Sequence, residues 1–192
     1  MQFAASSFQC DSPSGMSNFD AASYMGIWYE QVHVTGEPFQ PDSWTCNTAQ
    51  YSGLTDAGEF KVSNTGESAH QRFNKRFGVS GSGNCPTPGL AECYVSFFGQ
   101  STDYPNYVVL ETDYDSYSVI NTCEESQQKA YLWFMGREPK VSDDLYSKMM
   151  GIAQSHLTYF DYSTLAEPDV QGDMCTYPKP IVELDSLILT LQ

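Results

Sequence analysis

Eight short stretches rich in Tyr, Phe, Val and Ile alternate along the chain with turn-forming residues, and this alternation limits the fold more than any other feature. β-branched and aromatic residues favour strands, and short strands at even spacing are typical of an antiparallel meander. Eight strands close a barrel wide enough to hold one small ligand. We therefore predict an all-β, eight-stranded antiparallel up-and-down barrel with strands at about 26–35, 47–53, 58–64, 69–79, 91–99, 106–112, 116–123 and 129–136.

The pattern changes after the eighth stretch. Pro139 ends the strand, and Ser142 is a favourable N-cap residue followed by two aspartates. Apolar residues then recur every three to four positions, as in Leu145, Met149 and Ile152. This spacing predicts one C-terminal amphipathic helix that packs against the outside of the barrel.

Charge and cysteine content narrow the classes of function. A net charge of −15 argues against nucleic acid and against an anionic membrane surface as partners, and its simplest role is solubility. No run of about 18 apolar residues occurs, so we expect no membrane span. Six cysteines in 192 residues favour an oxidising compartment. We expect a secreted, extracellular, single-domain protein.

Four short motifs stand out in their order and spacing. They are Phe19-Asp20, Gly26-Ile27-Trp28, Thr112-Asp113-Tyr114 and Arg137. A guanidinium on an indole face is a cation–π contact, so Trp28 and Arg137 would fix how the first and last strands meet. The set resembles the three conserved motifs of the lipocalin family, from about residue 10 to residue 175. By this resemblance these residues form the closed end of the barrel and serve an architectural role.

The resemblance also suggests boundaries and a branch of the family. It implies an N-terminal segment tied by a disulfide (1–18), a barrel with its helix (19–175) and a C-terminal tail (176–192). Stretches 107–118, 37–41 and 60–62 are similar to crustacyanin subunits, which bind a carotenoid. Bilin-binding insect lipocalins and the apolipoprotein D branch are similar too. Ser43-Trp44-Thr45 and the Cys85/Cys93 loop depart from the pattern near the expected entrance.

Six cysteines allow fifteen pairings, and the residues alone do not choose among them. The crustacyanin and apolipoprotein D branch implies two long links, Cys10–Cys123 and Cys46–Cys175. Cys85 and Cys93 would then pair across a short loop. All six thiols would be used in disulfides.

Side chains of a barrel strand alternate between the interior and the outside, so the parity of a strand predicts its lining residues. Arg137 at the closed end places Met135 and Trp133 inside. Alignment with the family extends this parity to the other strands. The predicted ligand-binding set is Ala49, Tyr51, Val62, Asn64, Phe73, Phe77, Val95, Phe97, Tyr107, Val109, Trp133 and Met135.

This interior is mainly apolar and aromatic, which suits one small hydrophobic ligand held without bond chemistry. We expect a non-covalent pigment, a carotenoid first and a bilin second, with a fatty acid, sterol or retinoid as the third choice. His33, His70 and His156 are too scattered to predict a metal site, and no catalytic constellation is visible. We therefore expect no enzyme.

Other classes of function stay open. A ligand-isomerising enzyme would need a free cysteine or a carboxylate inside the barrel. An amine scavenger would be favoured if Glu30 or Glu111 pointed inward. The apolar stretch 181–191 is either a tail packed on the barrel wall or disordered, or a surface for a partner or a second copy in a homo-oligomer.

Overall fold

Strands dominate the computed structural model, which describes residues 8–37, 40–68, 76–99, 102–166 and 170–181. Three predictions concern residues outside these ranges. They are the lining residue Phe73, the histidine His70 and the part of the apolar C-terminal stretch from residue 182 onward. The strands are β1 (Ser17–Phe19), β2 (Gly26–Val32), β3 (Trp44–Ser52), β4 (Glu59–Ser68), β5 (Arg76–Asn84), β6 (Gly89–Leu90), β7 (Glu92–Phe97), β8 (Tyr107–Thr112), β9 (Tyr117–Glu124) and β10 (Lys129–Gly136).

Eight of these strands close into one antiparallel barrel in the order β10-β2-β3-β4-β5-β7-β8-β9. The first and last barrel strands, β2 and β10, pair directly and complete the ring. β1 and β6 form a separate two-stranded sheet. The predicted all-β, eight-stranded up-and-down barrel is therefore confirmed.

The C-terminal helix is also confirmed. α2 (Asp143–His156) begins after Ser142, whose hydroxyl accepts a hydrogen bond from the Leu145 amide at 3.2 Å. Met149 and Ala153 are buried against the outer wall, in a cluster with Val32, Leu132 and Phe134. A second helix, α1 (Ala21–Tyr24), and short 3₁₀ turns at Glu125–Gln127 and Tyr162–Thr164 were not predicted.

The predicted strands 69–79 and 91–99 leave a Gly/Ser-rich connection between them, and this prediction is wrong in the first half of the connection. Residues 80–84 belong to β5. Glycine is tolerated in this strand because aromatic side chains from neighbouring strands fill the space that its missing side chain leaves. A Cβ at Gly83 would lie 2.2 Å from Phe60 Cζ, and one at Gly81 would lie 2.8 Å from Phe97 Cδ1.

Three disulfides fasten the ends of the chain and one loop. Cys10 is bonded to Cys123, Cys46 to Cys175 and Cys85 to Cys93, the same pairs that the family resemblance implies. The first holds the N-terminal segment on the wall at β9, and the second holds segment 170–177 on β3. Every cysteine of the chain is used.

Candidate functional site

Arg137 closes one end of the barrel. Its guanidinium carbon lies 3.7 Å from the centroid of the Trp28 ring. The same group donates hydrogen bonds to the carbonyls of Tyr114, Ile27, Ser23, Tyr24 and Met25 at 2.8–3.2 Å. Gly26 has a φ of +101°, and a Cβ there would lie 3.2 Å from Arg137 Nη1. This end is therefore closed by one cation that is hydrogen-bonded to two separate segments of the chain.

The turn between β8 and β9 completes the closed end. The Asp113 carboxylate accepts hydrogen bonds from the amides of Asp115, Ser116 and Tyr117 at 2.8–3.2 Å. Burial raises the pKa of Asp113, but these bonds together with that from the Ser116 hydroxyl outweigh it and leave the pKa lowered. The Tyr114 hydroxyl accepts a hydrogen bond from the Asp20 amide at 2.9 Å, which ties this turn to the start of α1.

Above this closed end, the inward side chains of the barrel form one apolar cluster. Its buried members include Ala49, Tyr51, Val62, Val109 and Met135. Four further inward residues keep partial exposure, namely Val95, Phe97, Tyr107 and Trp133. Along β7, β8 and β10 these four residues alternate with outward neighbours, so their side chains face the interior of the barrel.

Four hydroxyls meet at the floor of this space. The Tyr107 hydroxyl lies 2.8 Å from those of Tyr24 and Tyr51, and the Tyr24 hydroxyl lies 2.9 Å from Ser118 Oγ. Burial raises the pKa of Tyr24 to about 12 and also raises the pKa values of Tyr51 and Tyr107. We call these four residues the hydroxyl floor, and their hydroxyls stay protonated at neutral pH.

Two carboxylates face the same interior nearer the open end. Glu30 Oε1 accepts hydrogen bonds from Gln40 Nε2 at 2.6 Å and Asn47 Nδ2 at 3.1 Å, and it lies 3.0 Å from His33 Nδ1. The indole of Trp133 donates to Glu37 Oε2 at 3.0 Å. Both carboxylates are buried. The interior is thus more polar at this level than the sequence suggests.

Comparison with known proteins agrees with this geometry. The family model of the lipocalin-like domain matches residues 19–168. The chain belongs to the lipocalin family. Mouse apolipoprotein D is 28% identical over 157 residues, which cover 77% of this chain and 76% of that protein. The outer membrane lipoprotein Blc of Citrobacter freundii is 31% identical over 152 residues, covering 75% and 80%.

A solved structure supports the same fold. Lobster apocrustacyanin A1 superimposes with a TM-score of 0.64 at 21% identity, covering 81% of this lipocalin and 82% of that chain. At this identity the likeness concerns the fold. Lipocalins are in general a family of binding and transport proteins, so the barrel interior is the candidate ligand site.

The structure of this lipocalin brings most of the predicted lining together. Nine of the predicted residues belong to the inward cluster: Ala49, Tyr51, Val62, Val95, Phe97, Tyr107, Val109, Trp133 and Met135. Asn64 and Phe77 share the inward register, since Asn64 pairs with Val79 and Phe77 with Gly66 on adjacent strands. Phe77 stacks on Trp44 at 6.1 Å. The role of all twelve residues in ligand binding, that of Phe73 included, stays a prediction.

Sequence reasoning left several inward residues of this lipocalin out of the predicted site. Glu30 lies two residues after Trp28 on β2, so the alternation of a strand predicts that both side chains point inward. His33 and Glu37 lie beyond β2, after a register shift in the β2–β10 ladder that no sequence signal marks. Tyr24 lies on α1, outside the strand pattern. Glu111 points to the outer wall, where its carboxylate accepts a hydrogen bond from the Tyr117 hydroxyl.

Two concavities of about 640 and 540 Å³ lie on the outer surface. The first lies between the N-terminal segment at Cys10–Ser14 and the wall at Asn121–Cys123. The second is lined mainly by outward residues of β4, β5 and β7. Neither concavity contains the hydroxyl floor or the buried carboxylates, and the second also touches the inward residues Phe60 and Val95. The candidate site inside the barrel rests instead on the inward register of its residues and on the family to which the chain belongs.

The described residues bear on two kinds of chemistry, metal binding and catalysis by a thiol. In the part of the chain that the structure describes, no three His, Cys, Asp or Glu residues are grouped to hold a metal ion. Because all six cysteines are in disulfides, a thiol is not available as a nucleophile, which removes the thiol form of an isomerising enzyme.

Within the same described ranges, no helix is long and apolar enough to cross a membrane.

Proposed function

We propose that this protein is a secreted carrier that encloses one small hydrophobic ligand in its barrel, with a pigment as the first choice. A carotenoid is the first choice, a bilin the second, and a fatty acid, sterol or retinoid the third. The partly exposed inward residues Val95, Phe97, Tyr107 and Trp133 carry the proposal, because they mark an apolar and aromatic interior. Similarity of stretches 107–118 and 37–41 to crustacyanin subunits favours the carotenoid. The three disulfides support secretion.

Binding would depend on enclosure rather than on bond chemistry. The apolar middle of the barrel removes the ligand chain from water, at about 25 cal/mol per Å² of apolar surface. Polar groups lie at two levels, the hydroxyl floor below and the carboxylates of Glu30 and Glu37 above. An elongated molecule with an apolar body and polar ends fits this division.

Uptake of pigment by the purified protein tests the proposal. Bound carotenoid or biliverdin should quench the fluorescence of Trp133, whose ring belongs to the inward cluster, and should shift the absorption band of the pigment. Trp44→Phe removes the tryptophan that stacks on Phe77 and leaves Trp133 in place, so quenching that persists in this variant does not come from Trp44. A protein that takes up neither pigment would contradict a pigment carrier.

One observation favours a second candidate, the capture of a cationic amine. Glu30 is a carboxylate inside the barrel and is only 6% exposed. The ammonium group of an amine would add a charge-assisted hydrogen bond to those that the Glu30 carboxylate accepts from Gln40 and Asn47. The net charge of −15 would also attract amines toward the protein.

Calorimetry with tryptamine and histamine tests this candidate. Glu30→Gln should abolish amine binding, because it removes the charge and keeps the shape of the side chain. Glu111→Gln is the matched control, since the Glu111 carboxylate is on the outer wall with Tyr117. Equal amine affinity of the wild type and the Glu30→Gln variant would exclude Glu30 as the amine site.

A further inference from the structure

The second outer concavity, of about 540 Å³, lies across β4, β5 and β7. Its middle strand, β5, has small residues at its outward positions Gly78, Ser80 and Ser82. The flanking strands carry larger outward side chains in the concavity, namely Lys61 on β4 and Tyr94 on β7. Because the small residues lie between the larger ones, the wall is hollow along β5.

Strand pairing arranges the polar lining of this concavity in two rows across the three strands. Neighbouring strands lie about 4.8 Å apart and successive outward residues about 7 Å apart, so one small molecule can contact both rows. We call the six residues of these rows, which all line the concavity, the wall trough. The rows are Glu59 with Asn84 and Tyr94, and Lys61 with Ser82 and Ser96.

The Cys85–Cys93 disulfide holds the first row in place. Cys85 directly follows Asn84, and Cys93 directly precedes Tyr94. The bond therefore fixes the two strands next to these side chains, which reduces the ordering that binding would cost. The same loop departs from the sequence pattern of the family, so the family resemblance does not account for the trough.

Most polar side chains of the wall trough have no partner within the protein. In the ranges that the structure describes, the Glu59 carboxylate, the Lys61 ammonium and the Ser82 hydroxyl make no hydrogen bond or ion pair. Asn84 Oδ1 is buried beside Gly58 without a partner, which leaves the Nδ2 group as the end that a ligand can reach. The trough therefore offers both donors and acceptors to a ligand.

The charges of the wall trough are balanced, although the whole chain carries −15. Glu59 and Lys61 lie on the same face of β4, two residues apart, and have opposite charges. A charged ligand would be attracted by one and repelled by the other, whereas neutral hydroxyls can bond to both. The Tyr94 ring adds an apolar surface. Hydroxyls around the edge and a face of C–H groups are the features of a sugar ring.

We propose that the wall trough binds a neutral saccharide. One sugar ring packs its C–H face on Tyr94, and its hydroxyls bond to Glu59, Lys61 and the Asn84 amide. Bonds to the two charged groups are the stronger ones, because they are charge-assisted. The site is on the outer wall, so it is independent of the ligand carried inside the barrel.

NMR titration of the full chain with neutral disaccharides tests this proposal. The probes are cellobiose, maltose, lactose and N,N′-diacetylchitobiose at up to about 50 mM, because a shallow site with few hydrogen bonds binds in the millimolar range. We expect at least one probe to shift the amide resonances of β4, β5 and β7 along a saturable curve. Glucuronic acid should bind no more tightly than glucose, since the charges of the trough cancel.

Ser82→Val tests the hollow itself. Valine is favoured in strands and Ser82 is exposed, so the fold should tolerate a side chain that fills the hollow. We expect the affinity for the bound disaccharide to fall at least about tenfold, because the sugar can no longer approach β5. Ser80→Val is the matched control, since Ser80 lies on the same face of β5 but does not line the concavity. Urea unfolding checks that both variants are folded.

Two further positions separate ring packing from hydrogen bonding. Tyr94→Ala removes the ring and should lower the affinity about tenfold, whereas Tyr94→Phe keeps it and should lower the affinity less than about threefold. Lys61→Met keeps the apolar stem and removes the donor, so it should lower the affinity about fivefold. Tyr159→Ala, on the surface outside the trough, is the control for loss of an exposed ring.

Four outcomes would overturn the proposal. They are the failure of all four disaccharides to bind, equal affinity of the wild type and Ser82→Val, equal losses in Ser82→Val and Ser80→Val, and tighter binding of glucuronic acid than of glucose. Each leaves the carrier function of the barrel interior intact, because that function depends on other residues.

Discussion

The Arg137 guanidinium covers the Trp28 indole at 3.7 Å and, in the same position, bonds to five backbone carbonyls from two separate segments. Four of these carbonyls precede or begin β2, and the fifth belongs to Tyr114 in the β8–β9 turn. Arg137 directly follows β10. One side chain therefore joins the two strands that close the barrel to the turn below them.

Replacement of Arg137 should destabilise the fold strongly. Arg137→Met leaves several partly buried carbonyls without their charged donor, so we expect the free energy of unfolding to fall by about 3–5 kcal/mol. Arg137→Lys keeps the charge but not the planar fork of donors, so its loss should be about half as large. Urea unfolding of the two variants and the wild type measures both losses of unfolding free energy. The control is Lys140→Met on the exposed surface, and a loss below about 1 kcal/mol for Arg137→Met would contradict the assigned role.

Alkaline pH should weaken the fold through the hydroxyl floor. An unfolded tyrosine loses its proton near pH 10, whereas burial raises the pKa of Tyr24 to about 12 and raises those of Tyr51 and Tyr107. Above pH 10 the unfolded chain therefore binds fewer protons than the folded one. The stabilisation is complete below pH 10 and is lost as pH rises, by up to about 1.4 kcal/mol per pH unit for each tyrosine.

Urea unfolding at about pH 8, 10 and 11 measures the slope of the unfolding free energy against pH. Tyrosinate absorbance is a second readout. Tyr24→Phe should reduce the slope, because one of the three buried groups no longer titrates. Tyr159→Phe is the control substitution, since Tyr159 lies on the surface and is 56% exposed. An equal slope in the wild type and Tyr24→Phe would show that Tyr24 does not contribute.

The sequence allows the barrel and much of its lining to be predicted for a physical reason. Parity along a strand fixes which face a side chain occupies, so Trp28 also determines the inward position of Glu30. This reasoning fails where the ladder shifts register, because a bulge adds a residue without a distinctive sequence. The shift between Phe134 and Met135 in the β2–β10 ladder lies next to the positions where the interior becomes polar.

The hydroxyl floor was harder to predict because its members come from unrelated elements. Tyr24 lies on the four-residue helix α1, whereas Tyr51, Tyr107 and Ser118 lie on three different strands. Only the closed barrel joins their hydroxyls into one chain of three hydrogen bonds of 2.8–2.9 Å. The Gly/Ser-rich part of β5 shows the converse case, in which local composition favours a turn and packing against Phe60 and Phe97 overrides it.

Loss of the long disulfide should cost more stability than loss of the short one. Cys46–Cys175 joins residues 129 apart in sequence, and Cys85–Cys93 joins residues 8 apart. Loop entropy gives about 5 kcal/mol for the first and about 2.5 kcal/mol for the second. Double Cys→Ser variants compared by urea unfolding test the order, and a larger loss for the Cys85/Cys93 pair would contradict it.

Segment 170–177 should remain on the barrel after the Cys46/Cys175 disulfide is removed, as long as Arg76 is present. Arg76 donates hydrogen bonds to the carbonyls of Thr176 and Cys46, and Glu67 accepts one from the Thr176 amide at 2.7 Å. Adding Arg76→Ala to the double Cys→Ser variant should release the segment. Limited proteolysis near residue 175 reports this release, and cleavage that is already fast in the double variant would contradict it.

Gly83 tests how tightly the closed half of the barrel is packed. A methyl group at this position would lie 2.2 Å from Phe60 Cζ, and Phe60 is buried. We therefore expect Gly83→Ala to cost about 1–3 kcal/mol of unfolding free energy by overpacking. Phe60→Leu in the same chain should recover part of this loss, because the smaller side chain leaves room for the methyl group. Gly151→Ala in α2, where nothing lies within 4 Å, should instead stabilise the protein by about 1 kcal/mol. Two losses that simply add in the double variant would show that Phe60 and Gly83 do not share this space.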